Sequence, residues 1–265
     1  MAQFPLGPVI SRTLIESSKH GCAGPVALIV AMLSVENVFT KPSQIKLQKL
    51  FDEAFADMQA AAEKDYGVKG SDNFLLLYTY ETWGRSSDKA AWCIDHFVRS
   101  AAMHMASQIR AQLLDAMRVL RMPLGSAEKP SVEAIMRCLC AGYAAQTAKC
   151  QGTPTKSGAS LFLLNDNAAL PPVMVHPDSA MFGRKWNEAS SATEWALFHS
   201  LTWTSRGFMC NVMPVEWFWI RPFYEASSVM DLRTLVGDSL FARLQKEGSG
   251  DKSEVSGLKR KGDGN

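Results

Sequence analysis

No apolar run in this 265-residue chain comes near the roughly 20 residues a helix needs to cross a bilayer. The longest, Val26 to Leu33, is far too short. The N-terminus, Met1-Ala-Gln-Phe-Pro-Leu6, has neither the basic start nor the apolar centre of a secretory leader. Charge of one sign is equally scarce: 28 Lys and Arg against 26 Asp and Glu leave a net charge of +2. That balance allows a local basic groove at most, not a surface that coats nucleic acid. Cysteine is limited to six. Cys93, Cys138, Cys140 and Cys150 stand in apolar surroundings, so reduced thiols in a cytosolic or nuclear setting are expected. No internal repeat of fixed period is present.

Catalytic apparatus is missing in the same way. Gly152-Thr-Pro-Thr-Lys156-Ser157 ends like a phosphate-binding loop, but Thr155 stands where the glycine before the lysine is required, and Pro154 removes an amide. Cys138, Cys140, Cys150 and His176 do not make a zinc site, because two helical cysteines two apart point about 200° from each other. His176, Asp178 and Ser179 are the letters of a hydrolytic triad, yet near-adjacent residues cannot stack base on nucleophile. They read instead as a turn, with His176 bonding locally. His96 and His199 read as hydrogen-bonded core or interface residues.

What is present divides into two textures. With 47% hydrophobic residues, the chain has ample material for a core. Leu28, Ile29, Met32 and Leu33 recur at helical spacing after a Gly21-to-Pro25 break. Leu47, Leu50, Phe51, Ala54, Phe55, Met58 and Ala62 form an apolar stripe opposite Lys46, Lys49, Asp52, Glu53 and Asp57. Two shorter helices are expected over Phe74–Trp83 and Trp92–Val98. A longer one follows, with Met105, Ile109, Leu113, Met117 and Leu120 on one face. Ser131 to Cys150 predicts a further helix, N-capped by Ser131, with Ile135, Leu139 and Tyr143 inside. Beyond it, Gly, Pro and Asn punctuate short alternating runs such as Val173-Met-Val-His-Pro-Asp-Ser179 and Trp195-Ala-Leu-Phe-His-Ser-Leu201, the pattern of a small β-barrel. The strand pattern runs to about Arg221. Val229, Leu232, Leu235, Val236, Leu240 and Leu244 then predict an amphipathic helix, and Lys246 to Asn265 a disordered tail.

The wording and order of these fragments carry more than their periods do. Phe4-Pro-Leu-Gly-Pro8 resembles F-P-L-D-P; Leu28 to Val35 with Asn37-Val-Phe39 and Pro42 is similar to A-M-L-S…F…P. Ser71-Asp72 resembles S-D-H-L, and Trp92-Cys93 with His96-Phe97 resembles W-C-x-x-H-F. Arg110-Ala-Gln-Leu113, Arg121-Met122 and Arg137-Cys-Leu-Cys-Ala-Gly-Tyr143 follow in the same order, ahead of an H-P-x-S element at His176 to Ser179. From about Phe4 to Tyr224 the chain resembles the C-terminal region of DEAH-box RNA helicases, in wording closest to the spliceosomal second-step members. The resemblance implies an α+β architecture: a helical ratchet domain over 1–126, an OB-fold over 127–225 with its lead-in helix at 131–150, and a helix and tail over 226–265. It also implies an ATP-driven RNA translocase whose motors hold ATP and magnesium. This chain is expected to hold neither and to be non-catalytic alone, beginning where the ratchet begins. Asp52-Glu-Ala-Phe55 imitates the D-E-A-H motif, but on the polar side of a helix. Ser191-Ala-Thr193 imitates another motor motif in the wrong domain.

The resemblance points to Thr204-Ser205-Arg206, similar to a family T-S/T-K segment whose hydroxyls and cation reach phosphate oxygens. A solvated loop is the other reading. Arg110 and Arg99 complete the candidate RNA contacts. Two readings stand for Trp195, Phe198, Trp203, Phe208, Trp217, Phe218 and Trp219: barrel core, or platforms on which bases stack. Departures weaken the RNA reading. Ala101, His104, Met105 and Ser107 occupy a stretch that is basic in the family, Leu161 to Asn167 carries no arginine, and Asn73 replaces a histidine. The implied partners are single-stranded RNA (pre-mRNA or snRNA), helicase motor domains, and G-patch-type activators or other spliceosomal proteins, with no membrane. A nuclear location is expected, and Lys259-Arg-Lys261 is a candidate signal. The alternative function is a standalone adaptor that kept the fold and lost RNA binding.

Overall fold

The computed structural model describes residues 6–125, 131–152, 160–164, 171–183 and 195–226. Seven helices come first: α1 (Pro8–Lys19), α2 (Ala23–Leu33), α3 (Ile45–Tyr66), α4 (Asp72–Arg85), α5 (Lys89–Asp95), α6 (Ser100–Val119) and α7 (Val132–Gly142). Strands β1 (Thr147–Gly152), β2 (Leu161–Leu164), β3 (Met174–Val175), β4 (Trp195–Trp203) and β5 (Gly207–Val215) follow, then α8 (Trp217–Glu225). The expected C-terminal helix and tail, Phe4-Pro5, Thr153 to Ser157, Asn165 to Asn167 and Ser191 to Thr193 lie outside the described residues.

α2 is the axis of the helical part. It is apolar all round, and Ala23 and every residue from Val26 to Leu33 is buried, as such a helix must be. It packs against α1, α4, α6 and α7. Side-chain caps mark the starts of α4, α5 and α7. Ser71 Oγ accepts from Phe74 N at 3.4 Å, Asp88 from Ala90 and Ala91 N at 3.0 and 2.9 Å, and Ser131 Oγ from Ala134 N at 3.1 Å. The Ser131 cap is where the sequence places it.

The five strands form one sheet in the order β2-β1-β4-β5-β3, antiparallel except for the parallel β3–β5 pair. Phe162 and Val173 exchange two backbone hydrogen bonds of 2.9 Å, bringing the outer strands together in a nearly closed barrel. Ala196, Phe198, Met209 and Val212 point inward with Phe162 and Val173. The alternate residues Trp195, Leu197, Met213 and Val215 face outward and join the core of the helices. The helical bundle and the OB-type barrel expected from sequence are both present.

Four details differ from the sequence reading. The helix expected to reach Cys150 ends at Gly142. A Cβ there would collide with Thr13 of α1, so α7 and α1 touch where no side chain fits. Thr147 to Lys149 then pair with Trp195 to Leu197, and sheet bonding overrides the helix-forming Ala-Ala-Gln-Thr-Ala-Lys run. The strand expected up to Arg221 gives way to α8. Trp217, Ile220 and Tyr224 recur at helical spacing, and Trp217 stacks on Trp195 with ring centroids 5.3 Å apart. On α6, Met105 is 54% exposed, and the buried stripe runs instead through Met103, Ala106, Leu113 and Met117. On α3, Leu47 and Leu50 are exposed. Only Phe51, Met58 and Ala62 are buried, where α4 and neighbouring aromatic rings cover them.

Candidate nucleic-acid interface

β4 and β5 pair from Trp195↔Val215 to Trp203↔Gly207, and the three residues between them are Thr204, Ser205 and Arg206. Thr204 N donates to Arg206 O at 2.9 Å, closing a tight hairpin whose three side chains are exposed. Trp203 is 47% exposed beside Gly207. A Cβ on Gly207 would come within 2.7 Å of the Trp203 ring and 2.8 Å of Val173, so only glycine admits this packing. Arg206 Nη1 lies 4.0 Å from Met174 Sδ, so the guanidinium end of this exposed residue reaches back to β3.

The hairpin extends one wall of a groove of about 690 Å³ between barrel and helices. His199, Ser200, Thr202, Cys210 and Asn211 form the barrel side; Asn37 to Phe39, Phe51 and Phe55 form the helical side. Arg99 joins the helical side through its backbone. Its N–H donates to Val38 O at 2.9 Å, and its side chain is exposed. Thr204, Ser205, Arg206 and Arg99 do not line the groove themselves; Thr202, two residues before the turn, and Val38, bonded to Arg99 N–H, do.

Arg110 is elsewhere. It falls on the buried stripe of α6 and lines a separate cavity of about 660 Å³ with Asp65, Tyr66, Glu81 and Arg85. Its Nε is buried without a hydrogen-bond partner among the described residues. The groove itself is not strongly basic: Lys41 lines it together with Asp52 and Asp178.

The aromatic residues divide between the two readings. Trp195 and Phe198 are core, at 2% and 5% exposure. Phe208 packs edge-on against His176 at 5.8 Å, and Trp219 lies under Arg137 at 5.2 Å. Trp203 and Phe218 present open ring surface at 47% and 53% exposure, Trp203 at the foot of the hairpin.

The groove's floor holds a group that sequence reasoning passed over. Asp72, the first residue of α4, is buried, and its Oδ2 accepts from Ser179 Oγ and Val212 N, both at 2.6 Å. Its Oδ1 accepts from Ala180 N at 2.7 Å. Burial pushes this carboxyl up to about 6, while the three donors pull the other way. One carboxylate thus ties the helical part to a barrel turn and to β5. Ser71-Asp72 and His176-Pro-Asp-Ser179, two separate fragments of sequence, meet here. The sequence signal was the resemblance of each fragment to a family motif, with no hint that the two touch.

The histidines hold local positions. Asp178 N donates to His176 Nδ1 at 3.2 Å, and Ser179 N to His176 O at 3.0 Å, which makes the expected turn. His199 Nδ1 is 2.9 Å from Tyr143 Oη, and burial lowers its pKa below the ordinary imidazole value. His96 stacks on Trp92 at 4.1 Å. Among the described residues, no three His, Cys, Asp or Glu side chains gather as a metal site.

Comparison with known proteins adds an independent line. Residues 7–76 match the helicase associated domain (HA2), ratchet-like, and residues 135–226 match the oligonucleotide/oligosaccharide-binding (OB)-fold. The chain is 33% identical over 220 residues to the pre-mRNA-splicing factor ATP-dependent RNA helicase prp22 of Schizosaccharomyces pombe. It is 30% identical over 226 residues to the probable ATP-dependent RNA helicase DHX40 of Homo sapiens. Each match covers 83% of this chain, but only 17% of the first relative and 27% of the second.

Proposed function

Since this chain belongs to the DEAH-box RNA helicases as their C-terminal ratchet and OB-fold region, we propose that it forms one wall of an RNA channel and a docking surface in a pre-mRNA-splicing helicase. The observation that supports this reading best is the placement of Thr204-Ser205-Arg206 at the tip of the β4–β5 hairpin, beside a groove that the helices complete. Hydroxyls and a guanidinium suit phosphate oxygens, and the open ring of Trp203 suits a base face. Arg99 adds an exposed cation from the helical side. Arg110, lining its own cavity, is assigned no contact in this groove.

In this reading the ATP and magnesium chemistry belongs to helicase motor domains, and the chain's own residues bind and orient RNA without a cofactor. The motors, G-patch-type activators and other spliceosomal proteins are its partners, and the nucleus is its place of work. A single-stranded RNA titration over a salt series tests the RNA contact. The intact chain binds with a salt-dependent affinity. Arg206→Ala weakens binding about tenfold and lowers the slope of log K against log salt by about 0.7, the share of one phosphate contact.

The mixed charge of the groove, with Asp52 and Asp178 facing Lys41, favours a second reading: an adaptor that retained the fold and lost RNA affinity. No binding even at low salt, with partner proteins still captured, selects it.

A further inference from the structure

Cys22 and Cys138 are 116 positions apart, yet their sulfurs lie 3.4 Å from each other in the core. Cys22 is the N-cap of α2 and Cys138 lies in the middle of α7. They are 1% and 0% exposed. We propose that these two thiols are a redox modification site: a peroxide-class oxidant joins them in a disulfide that fastens the ratchet's central helix to the helix leading into the barrel.

Three features carry the inference. The first is reach. A disulfide bond is about 2 Å long, so the sulfurs need to close by little more than the radius of one atom. Cys22 also sits at φ −119° outside the regular turns of α2, where the chain can yield. The second is polarity. The hydrogen bond from the Cys138 thiol lowers the pKa of Cys22 below the ordinary thiol value and raises that of Cys138, so one sulfur of the pair is the better nucleophile. The third is access. The cavity of about 660 Å³ is lined by Gly24 and Pro25, two and three residues after Cys22, and by Ile135, one turn before Cys138. Neither thiol lines that cavity, so hydrogen peroxide reaches the pair when the packing around these neighbouring residues opens locally.

The chemistry balances without a cofactor. The Cys22 thiolate attacks one oxygen of hydrogen peroxide and the O–O bond breaks. Cys22 becomes a sulfenic acid, and the departing hydroxide takes the thiol proton to give water. The Cys138 sulfur then attacks the sulfenyl sulfur; the S–S bond forms, the S–O bond breaks, and its proton leaves with hydroxide as a second water. Two electrons pass from the sulfurs to the peroxide. A thiol reductant reverses the step. An intracellular disulfide of this kind is a transient sensor rather than a structural staple.

The test treats the native 265-residue chain with hydrogen peroxide, at a dose set by consumption of the more accessible Cys210, then denatures, alkylates and maps it by mass spectrometry. Two of the five buried thiols become protected, in one Cys22–Cys138 cross-linked peptide lighter by two hydrogens, and dithiothreitol restores both. In Cys138→Ala the cross-link is lost and dimedone traps a sulfenic acid on Cys22. Cys138→Val, which keeps the apolar volume, replaces that variant if it does not fold. Retention of all buried thiols after Cys210 has reacted, or a cross-link from Cys22 to another cysteine, overturns the proposal.

Discussion

Asp72 is the residue on which the relation of helices to barrel turns. Its carboxylate collects a hydroxyl and two backbone N–H groups from segments 107, 108 and 140 positions away. Asp72→Ala leaves Val212 N–H, Ala180 N–H and the Ser179 hydroxyl buried without an acceptor. The cost is about 2–4 kcal/mol, read as a lower urea midpoint at unchanged slope. The pH dependence has a definite sign. Native Asp72 takes up its proton near pH 6 and the unfolded side chain near 3.8, so the protonation-linked part of its contribution is complete below the lower value and is lost as pH rises through the upper one. The span is on the order of 3 kcal/mol. His199 slopes the other way, because a buried neutral imidazole loses stability as pH falls through the unfolded value. Subtracting an Asp72→Asn unfolding curve from the wild-type curve between pH 4 and 7 removes the histidine contribution. The difference should fall with rising pH; a flat difference contradicts the assignment.

At the scale of the element, Gly142 shows how a helix end can be set by its neighbour. Gly142→Ala drives a methyl group into Thr13 and the Val9 carbonyl, where α1 lies against α7. Overpacking of this kind costs about 1–3 kcal/mol, and adding Thr13→Ala should return part of it in a double-mutant cycle followed by urea unfolding. The same glycine marks the boundary of what the sequence made legible. α2 could be read directly, because an apolar run after Gly21 and Pro25 has no solvated face to hide. Ser131 declared the start of α7 by its own hydrogen-bonding chemistry. The end of α7 was hidden because Thr13, Trp195 and Leu197, which decide it, are distant in sequence. α8 was misread because Trp217-Phe-Trp-Ile220 is apolar at every position and shows no period until packing on Trp195 selects one face. Thr204 to Arg206 stood out through the family resemblance, with a solvated loop as the other reading, and the pairing of β4 with β5 makes it a hairpin turn. The floor of the neighbouring groove did not stand out, since Asp72 looks like any first-turn acid until its partners arrive.

For the whole molecule, the decisive fact is that the barrel, besides its own interior cluster, shares a second core with the helices. Trp195, Leu197, Met213 and Val215 leave the barrel's outer face and enter the cluster that contains Leu14, Ile29, Met117 and Leu139, with Ile220 and Tyr224 of α8 sealing it. Trp195 is the largest of these, stacked on Trp217 and edge-on to Tyr224 at 5.6 Å. Removing its indole opens a cavity bordered by both halves, so neither half alone can collapse to fill it. Trp195→Ala should cost about 3–5 kcal/mol. The shared core also predicts that the wild-type chain unfolds as one cooperative unit despite its two architectures. Far-ultraviolet circular dichroism follows mainly the helices, while alkylation of Phe162→Cys, inside the barrel, follows the strands. The two transitions should coincide in urea, and in Trp195→Ala both should move to lower urea together. If the barrel cysteine becomes reactive while the helical signal is intact, the two halves hold their stability separately, and the groove between them is a contact of independent bodies rather than a fixed channel wall.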